Sequence, residues 1–230
     1  MKSSLTLSQA LMLLALQDEK GTLYSGYFPQ ALAGVGLTEL LLSGVLVSDS
    51  GKTPKYTCKP DAIVQGQFLS TIANYMQTDG KARPIKSWAE RISQKSKFIK
   101  ILAQELCEIG AVSEEKSKLF GLIPQTKWPT VNGRIEAGLI EEIKAALNPN
   151  LPISQIDDKI GLLIILSEAA GILRHNLDKD LYKSSKTRLK EMKKAEFMNS
   201  EAFVKVIKET EAAIISVIVA AAVIPAVTAG

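Results

Sequence analysis

The stretch Leu5-Thr-Leu-Ser-Gln-Ala-Leu-Met-Leu-Leu-Ala-Leu-Gln-Asp-Glu-Lys-Gly21 sets the fold class. Thr6 is placed to cap a helix, and Gln9, three residues on, can reach back to the N–H of the cap, the reciprocal pattern of a capping box. Every residue from Ala10 to Leu16 is apolar. A surface helix carries one apolar stripe, so this helix is predicted to be buried on several sides, which requires other helices around it. Asp18-Glu19-Lys20 breaks the apolar run, and Gly21 suits a left-handed position after the helix.

Outward from this segment, two stretches share one order of elements. The first is a helix around Gln30–Leu42, apolar at Leu32, Val35, Leu37, Leu40 and Leu41. Gly44 stops it, Val45-Leu46-Val47 reads as a strand, Asp49-Ser50-Gly51-Lys52-Thr53-Pro54 as a turn, and Lys55-Tyr56-Thr57-Cys58 as the returning strand. The second is a helix over Phe98–Ile109, stopped by Gly110, with Ala111-Val112 starting a strand, Glu114–Lys118 as the turn and Leu119–Ile123 returning. The two copies share little residue identity, so this is a repeated architecture and not a demonstrated duplication.

The second half reads as helices over Ile135–Leu147, Ile156–Leu177 and Leu181–Met198, with a final run from Ala202. In the third, Leu181, Ser185, Leu189 and Met192 form an inward stripe and the lysines lie opposite. Ala212 to Gly230 holds no charge over 19 residues, long enough to be a membrane-span candidate. Seven of these are alanine, with Ser216, Pro225 and Thr228 among the rest, a composition that suits a tightly packed core helix better than a tail anchor or an oligomer contact. The expected architecture is mainly α: a single domain over 1–230, helices around a central apolar C-terminal helix, and two peripheral β-hairpins.

Composition narrows the chemistry. The 230 residues are 46% hydrophobic and 23% charged, the balance of a globular chain. The single histidine, His175, excludes any metal site that needs two imidazoles. Cys58 and Cys107 lie 49 residues apart with no C-x-x-C, and read as reduced thiols. Gly51-Lys52-Thr53 resembles the end of a phosphate-binding loop, but Gly44 is too far upstream and Pro54 with the following strand occupies the place of the helix. His175, with Glu168 seven residues before it and Asp178 three after, has no nucleophile or metal partner. Asp157-Asp158 and Glu141-Glu142 point different ways on a helix. No catalytic residue, metal or cofactor is expected, and the chain reads as non-enzymatic.

The net charge of +4 is mild but clustered. Lys81, Arg83, Lys86, Arg91, Lys95, Lys97 and Lys100 face one acid, Glu90; Lys183, Lys186, Arg188, Lys190, Lys193 and Lys194 face Glu191. These are either solvated helix faces or surfaces for an anionic partner, a membrane or a nucleic acid. Helix followed by hairpin is also the core of a winged-helix DNA-binding unit. Helix 30–42 contains no lysine or arginine, so only the second unit, with Lys95, Lys97 and Lys100 near its start, keeps that alternative.

Four ordered blocks carry a family resemblance: the opening stretch 5–21, then Ala31-Leu-Ala-Gly-Val-Gly-Leu-Thr-Glu-Leu-Leu-Leu-Ser-Gly44, then Leu102-Ala-Gln-Glu-Leu-Cys-Glu-Ile-Gly-Ala-Val-Ser-Glu-Glu-Lys116, then Gly161-Leu-Leu-Ile-Ile-Leu-Ser-Glu-Ala-Ala-Gly-Ile-Leu-Arg-His-Asn-Leu177. Together they resemble the Golgi phosphoprotein 3 family, in a divergent form such as a prokaryote without a Golgi would carry. The resemblance implies a cytoplasmic, peripheral membrane protein that binds phosphatidylinositol 4-phosphate in a shallow basic pocket, self-associates, and acts as an adaptor that sorts membrane proteins through their tails. The family's pocket tryptophan falls near Tyr24, and its arginines fall on Ala33, Ser96 and Ile99, so none is retained. Arg91, Lys95, Lys97 and Lys100 flank the last pair and form a looser candidate site for a lipid headgroup, because a lysine offers a point charge and not a planar fork. The self-association hairpin maps onto 113–123, with Glu114, Lys118, Leu119, Phe120 and Leu122 as its contact residues.

Overall fold

A computed structural model describes residues 5–24, 27–49, 51, 53–119, 122–194 and the two residues 212 and 215. The first helix, α1 (Leu7–Ala15), carries the expected capping box: Gln9 N–H donates to Thr6 Oγ1 at 3.1 Å, and Thr6 N–H to Gln9 Oε1 at 3.1 Å. Every residue of α1 but Gln9 is buried, as its unbroken apolar run requires. Around it lie α2 (Phe28–Leu42), α5 (Lys97–Glu108), α6 (Gly133–Leu147) and α7 (Asp158–Ala169). Outside these come α3 (Gln67–Asp79), α4 (Ile85–Ser93), α8 (Lys179–Ser184) and α9 (Lys186–Lys194). One hydrophobic core runs from Leu5 to Met192.

Both hairpins are present. Strands β1 (Leu46–Ser48) and β2 (Tyr56–Cys58) pair antiparallel, and Asp49 closes their turn by accepting N–H bonds from Gly51 at 3.2 Å and Lys55 at 3.1 Å. Strands β3 (Glu115–Leu119) and β4 (Ile123–Lys127) form the second hairpin, in the register Glu115↔Lys127 to Leu119↔Ile123. Gly44 and Gly110, the residues that end the preceding helices, have φ of +68° and +70°. The core of the repeated helix–glycine–hairpin order is therefore real.

Four expectations need correction. The second hairpin is displaced: Glu114–Lys118 does not turn, because 115–119 is its first strand and the reversal falls between Leu119 and Ile123. Charged residues read as a turn, yet a two-stranded ribbon open to water on both faces accepts them. The helix 156–177 ends at Ala169, since Gly171 adopts φ +69°, and only a 3-10 turn, Leu173–His175, follows. The helix from Leu181 is two helices that meet at Ser185. Residues 59–96, given no element by the sequence reading, hold α3 and α4. The predicted central C-terminal helix lies outside the described residues, apart from Ala212 and Ile215, which are helical and exposed. Within the described chain, α1 and the Ile160–Ser167 stretch of α7 occupy the centre.

Two carboxylates fasten this arrangement. Glu39 of α2 accepts the backbone N–H of Leu7 at 2.7 Å and of Ser8 at 3.1 Å, and also the Ser8 hydroxyl. Glu105 of α5, only 8% exposed, accepts the Phe68 N–H at 2.8 Å and the Gln9 amide at 3.0 Å. Each satisfies orphan donors at the N-terminus of a helix other than its own, where the helix dipole favours negative charge. Gly66, at φ +83°, precedes α3, and a Cβ there would lie 3.2 Å from Glu105 Oε1. Glu105→Ala is expected to cost about 2–3 kcal/mol, because it strands a buried N–H and an amide. Glu105→Gln, which keeps an acceptor, is expected to cost less than half as much; urea unfolding midpoints of the two variants check the difference.

Candidate anionic-surface site

Arg83, Arg91 and Lys81 converge on the C-terminal end of α3. Asp79, in its last turn, accepts Arg83 Nε at 3.0 Å and Nη2 at 2.8 Å through one oxygen, and Arg91 Nη2 at 2.8 Å through the other. Arg83, then Arg91 and Lys81, hold its carboxyl below the usual carboxylate range. Arg83 also covers the Trp88 ring, 5.5 Å from its centroid, while the Trp88 indole N–H donates to Tyr56 O at 2.9 Å. Arg91, expected to meet a headgroup, bonds Asp79 through Nη2 alone, has a buried Nε without a partner, and keeps its side chain 41% exposed.

The lysines differ. Lys81, Lys95, Lys97 and Lys100 are all exposed, and none forms an ion pair among the described residues. Lys97 Nζ sits 6.0 Å from the Tyr75 ring centroid and 5.4 Å from that of Phe98. Tyr75 lies one turn before Asp79 on α3, so Lys97, Lys81 and the Asp79 cluster share one surface. Lys95 and Lys100 flank it at the start of α5.

The Tyr24 N–H donates to Ala15 O at 2.9 Å, at the end of α1, and its ring stacks on His175 with centroids 4.5 Å apart and planes 6° from parallel. Beside Tyr24, Glu136 of α6 is 7% exposed and hydrogen-bonded to Asp18 of the loop after α1. Burial, then the neighbouring Asp18 carboxylate, pushes Glu136 up to about 8. Asp18 O also accepts Thr130 N–H at 3.0 Å, and Gly21 O accepts Trp128 N–H at 2.8 Å. A Cβ on Gly21, at φ +59°, would lie 2.3 Å from Pro129 N, so glycine is required where this loop meets the segment that follows the second hairpin. The sequence gives no signal for the Asp18–Glu136 pair or for the stack; both join residues more than a hundred positions apart.

Around the second basic stretch, Arg188 is buried and donates to Ala146 O at 3.4 Å and to Leu151 O, which caps the end of α6. Lys186 bonds to Glu168 at 2.9 Å and lies 3.9 Å from the centroid of the Tyr182 ring. Two of these cations therefore tie helices together. Leu122, at the tip of the second hairpin, is 84% exposed, while Glu114 and Lys118 are exposed at its base and first strand. Phe120 lies outside the described residues. Cys58 and Cys107 are free thiols, and burial raises both above the ordinary thiol range. No group of three or more metal-ligating side chains occurs among the described residues, and no helix among them is long and apolar enough to cross a membrane.

The features define a class: a mainly helical domain with one core, two peripheral hairpins and an outward patch of lysines. Residues 7–210 match the Golgi phosphoprotein 3 (GPP34) family model, and the chain belongs to that family. No curated protein matches it.

The Asp18–Glu136 pair gives a pH signature. Glu136 holds its proton in the folded state to about pH 8, whereas the unfolded chain releases it near the ordinary glutamate value of 4.5. Between these values the native state binds more protons, so stability falls as pH rises, by up to about 1.4 kcal/mol per pH unit. Glu136→Gln should flatten that segment of the stability–pH curve, measured by urea unfolding from pH 5 to pH 8 (about the window between the two values).

Proposed function

We propose that this protein attaches reversibly to anionic membranes through the surface formed by Lys81, Lys95, Lys97 and Lys100, and serves there as a peripheral adaptor. The observation that carries the reading is the division of labour within one cluster: the arginines bond Asp79 and cover Trp88, while these four lysines are exposed and form no ion pair among the described residues. Each lysine near an anionic leaflet contributes about 1 kcal/mol, so four give roughly millimolar, salt-sensitive attachment. Point charges of this kind favour negative surface density over one headgroup, which fits the loss of the family's arginines at Ala33, Ser96 and Ile99. Family membership supports lipid attachment as the class of function.

Two other readings meet the same residues. A winged-helix role for the first unit is opposed by α2, in which no residue is exposed for a groove. In the second unit α5 offers Lys97 and Lys100 but also Glu108 on its open side. Self-association through the second hairpin is favoured by Leu122, and Leu122→Asp should lower the sedimentation mass if the hairpin joins two copies.

Flotation with phosphatidylcholine vesicles, with and without phosphatidylserine, tests the main reading. Recovery should require phosphatidylserine and fall when salt rises from about 0.1 M to about 0.5 M. Replacing Lys95, Lys97 and Lys100 by glutamine should weaken binding at least about tenfold. Equal recovery on neutral vesicles, no recovery on either, or tight salt-sensitive binding to a DNA duplex in place of vesicles overturns it.

A further inference from the structure

The loop between α1 and α2 is fastened to the segment that follows β4. Thr130 N–H donates to Asp18 O at 3.0 Å and Trp128 N–H to Gly21 O at 2.8 Å, while Thr130 Oγ1 donates to Asp18 Oδ1 at 3.4 Å. The same segment is bonded to the residues that lead into β3: Ser113 N–H donates to Pro129 O at 3.0 Å, and Val131 N–H to Ala111 O at 3.0 Å. The loop therefore closes against the base of the second hairpin, whose tip carries Leu122, 84% exposed.

One contact inside this arrangement needs a proton to exist. Glu136, in the first turn of α6, is 7% exposed and hydrogen-bonded to Asp18. Ionised carboxylates only accept, so a bond between two carboxyl groups requires a hydrogen on one of them, and Glu136 is the one withdrawn from water. With that proton it donates to Asp18. Without it, two like charges face each other and one of them is buried. Movement of the loop away from α6 relieves both, because water then reaches Glu136.

The surrounding elements do not offset this charge. Of the helices packed on α6, α1 has no charged residue, and α7 carries Asp158 and Lys159 at its start and Glu168 at its end, the last bonded to Tyr182 and Lys186. Arg188 caps the opposite end of α6. Residues 128–132 are uncharged, and Arg134 on α6 and Glu19 and Lys20 in the loop are exposed. Tyr24, with its hydroxyl raised by burial, then Asp18, then Glu136, stacks on His175, which lies beside Arg174. The influences on Glu136 are its burial and Asp18, and they act in one direction.

We propose that Asp18 and Glu136 form a proton latch: their hydrogen bond holds the α1–α2 loop on the base of the second hairpin, and loss of the proton releases the loop. The latch goes beyond the membrane-attachment reading, since neither carboxyl belongs to the lysine patch, and it makes the seating of the hairpin depend on pH. The closed loop keeps the proton to about pH 8, whereas an opened loop releases it near the ordinary glutamate value of 4.5. Opening therefore becomes easier as pH rises between these values and levels off above the higher one.

Backbone amide exchange in the full-length protein tests this, because the Trp128 and Thr130 N–H groups are the donors that the loop accepts. After correction for the pH dependence of the chemical step, the opening constant of both amides should rise from about pH 5 to about pH 8, by up to about tenfold per pH unit, and then flatten. In Glu136→Gln the side-chain amide donates to Asp18 at every pH, so the slope should vanish and both amides should stay protected. Glu136→Ala leaves Asp18 without its donor, and exchange should already be fast at about pH 5. Urea at about 1 M should leave the opening constant unchanged, as for a loop that exposes little surface, while slowly exchanging core amides respond to it. Absence of a slope in the unaltered protein, an equal slope in Glu136→Gln, full protection in Glu136→Ala, or a urea response equal to that of the core overturns the latch.

Discussion

The carboxylates of Glu39 and Glu105 organise the centre of this protein. Each lies on a helix that packs against α1, and each takes up N-terminal groups of a helix that would otherwise bury unpaired donors. Burial pushes Glu39 above its ordinary range, while the Ser8 hydroxyl, the N–H groups of Leu7 and Ser8, and Lys159 pull the other way. An apolar helix such as α1 gains from burial along its whole length, but its first turn cannot follow unless something accepts its N–H groups. Thr6 and Glu39 do this at the two sides of that turn. With α1 seated, α2, α5, α6 and α7 have a common surface to pack on, and the remaining elements attach to them.

From that centre the placement of charge follows. The end of α3 is set by its start, where Phe68 N–H meets Glu105, so Asp79 arrives in reach of both Arg83 and Arg91. One carboxylate draws in two guanidiniums, Arg83 through two nitrogens and Arg91 through one, and the flexible lysines remain in water. A basic stretch that looks uniform in sequence becomes an inner layer that binds elements together and an outer layer free to meet a partner. The same sorting occurs at the other basic stretch, where Arg188 closes the end of α6 and Lys186 joins Glu168 and Tyr182. It leaves Arg174, outside both stretches, as an arginine free of such ties beside the Tyr24–His175 stack.

Sequence reading found the elements whose signals are local. The capping box at Thr6, the left-handed glycines at 44 and 110 and the inward stripe Ser185, Leu189 and Met192 all depend on residues within one or two turns. It missed α3 and α4, although Phe68, Ile72, Ala73 and Met76, then Ile85, Trp88, Ala89 and Ile92, recur at helical spacing, and it displaced the second hairpin because Glu115, Lys116 and Lys118 look like turn residues when no partner strand is in view. It ran α7 too far because Gly171 interrupts an otherwise apolar stretch. For the candidate site it located the basic residues of 81–100, but could not divide them into arginines bonded to Asp79 and lysines open to water.

By itself the sequence determined the fold class, the family and the restriction of histidine chemistry to one residue, since each follows from composition or from short-range order. Tertiary structure alone decided which cations are spent and which are free, which carboxyl keeps its proton, and which residues join Tyr24. Those outcomes depend on pairs such as Gln9 with Glu105, Asp18 with Glu136 and Tyr24 with His175. Their separation along the chain hides them from any local pattern, and the energy of a charged group depends on the partners and the burial that only the folded chain supplies.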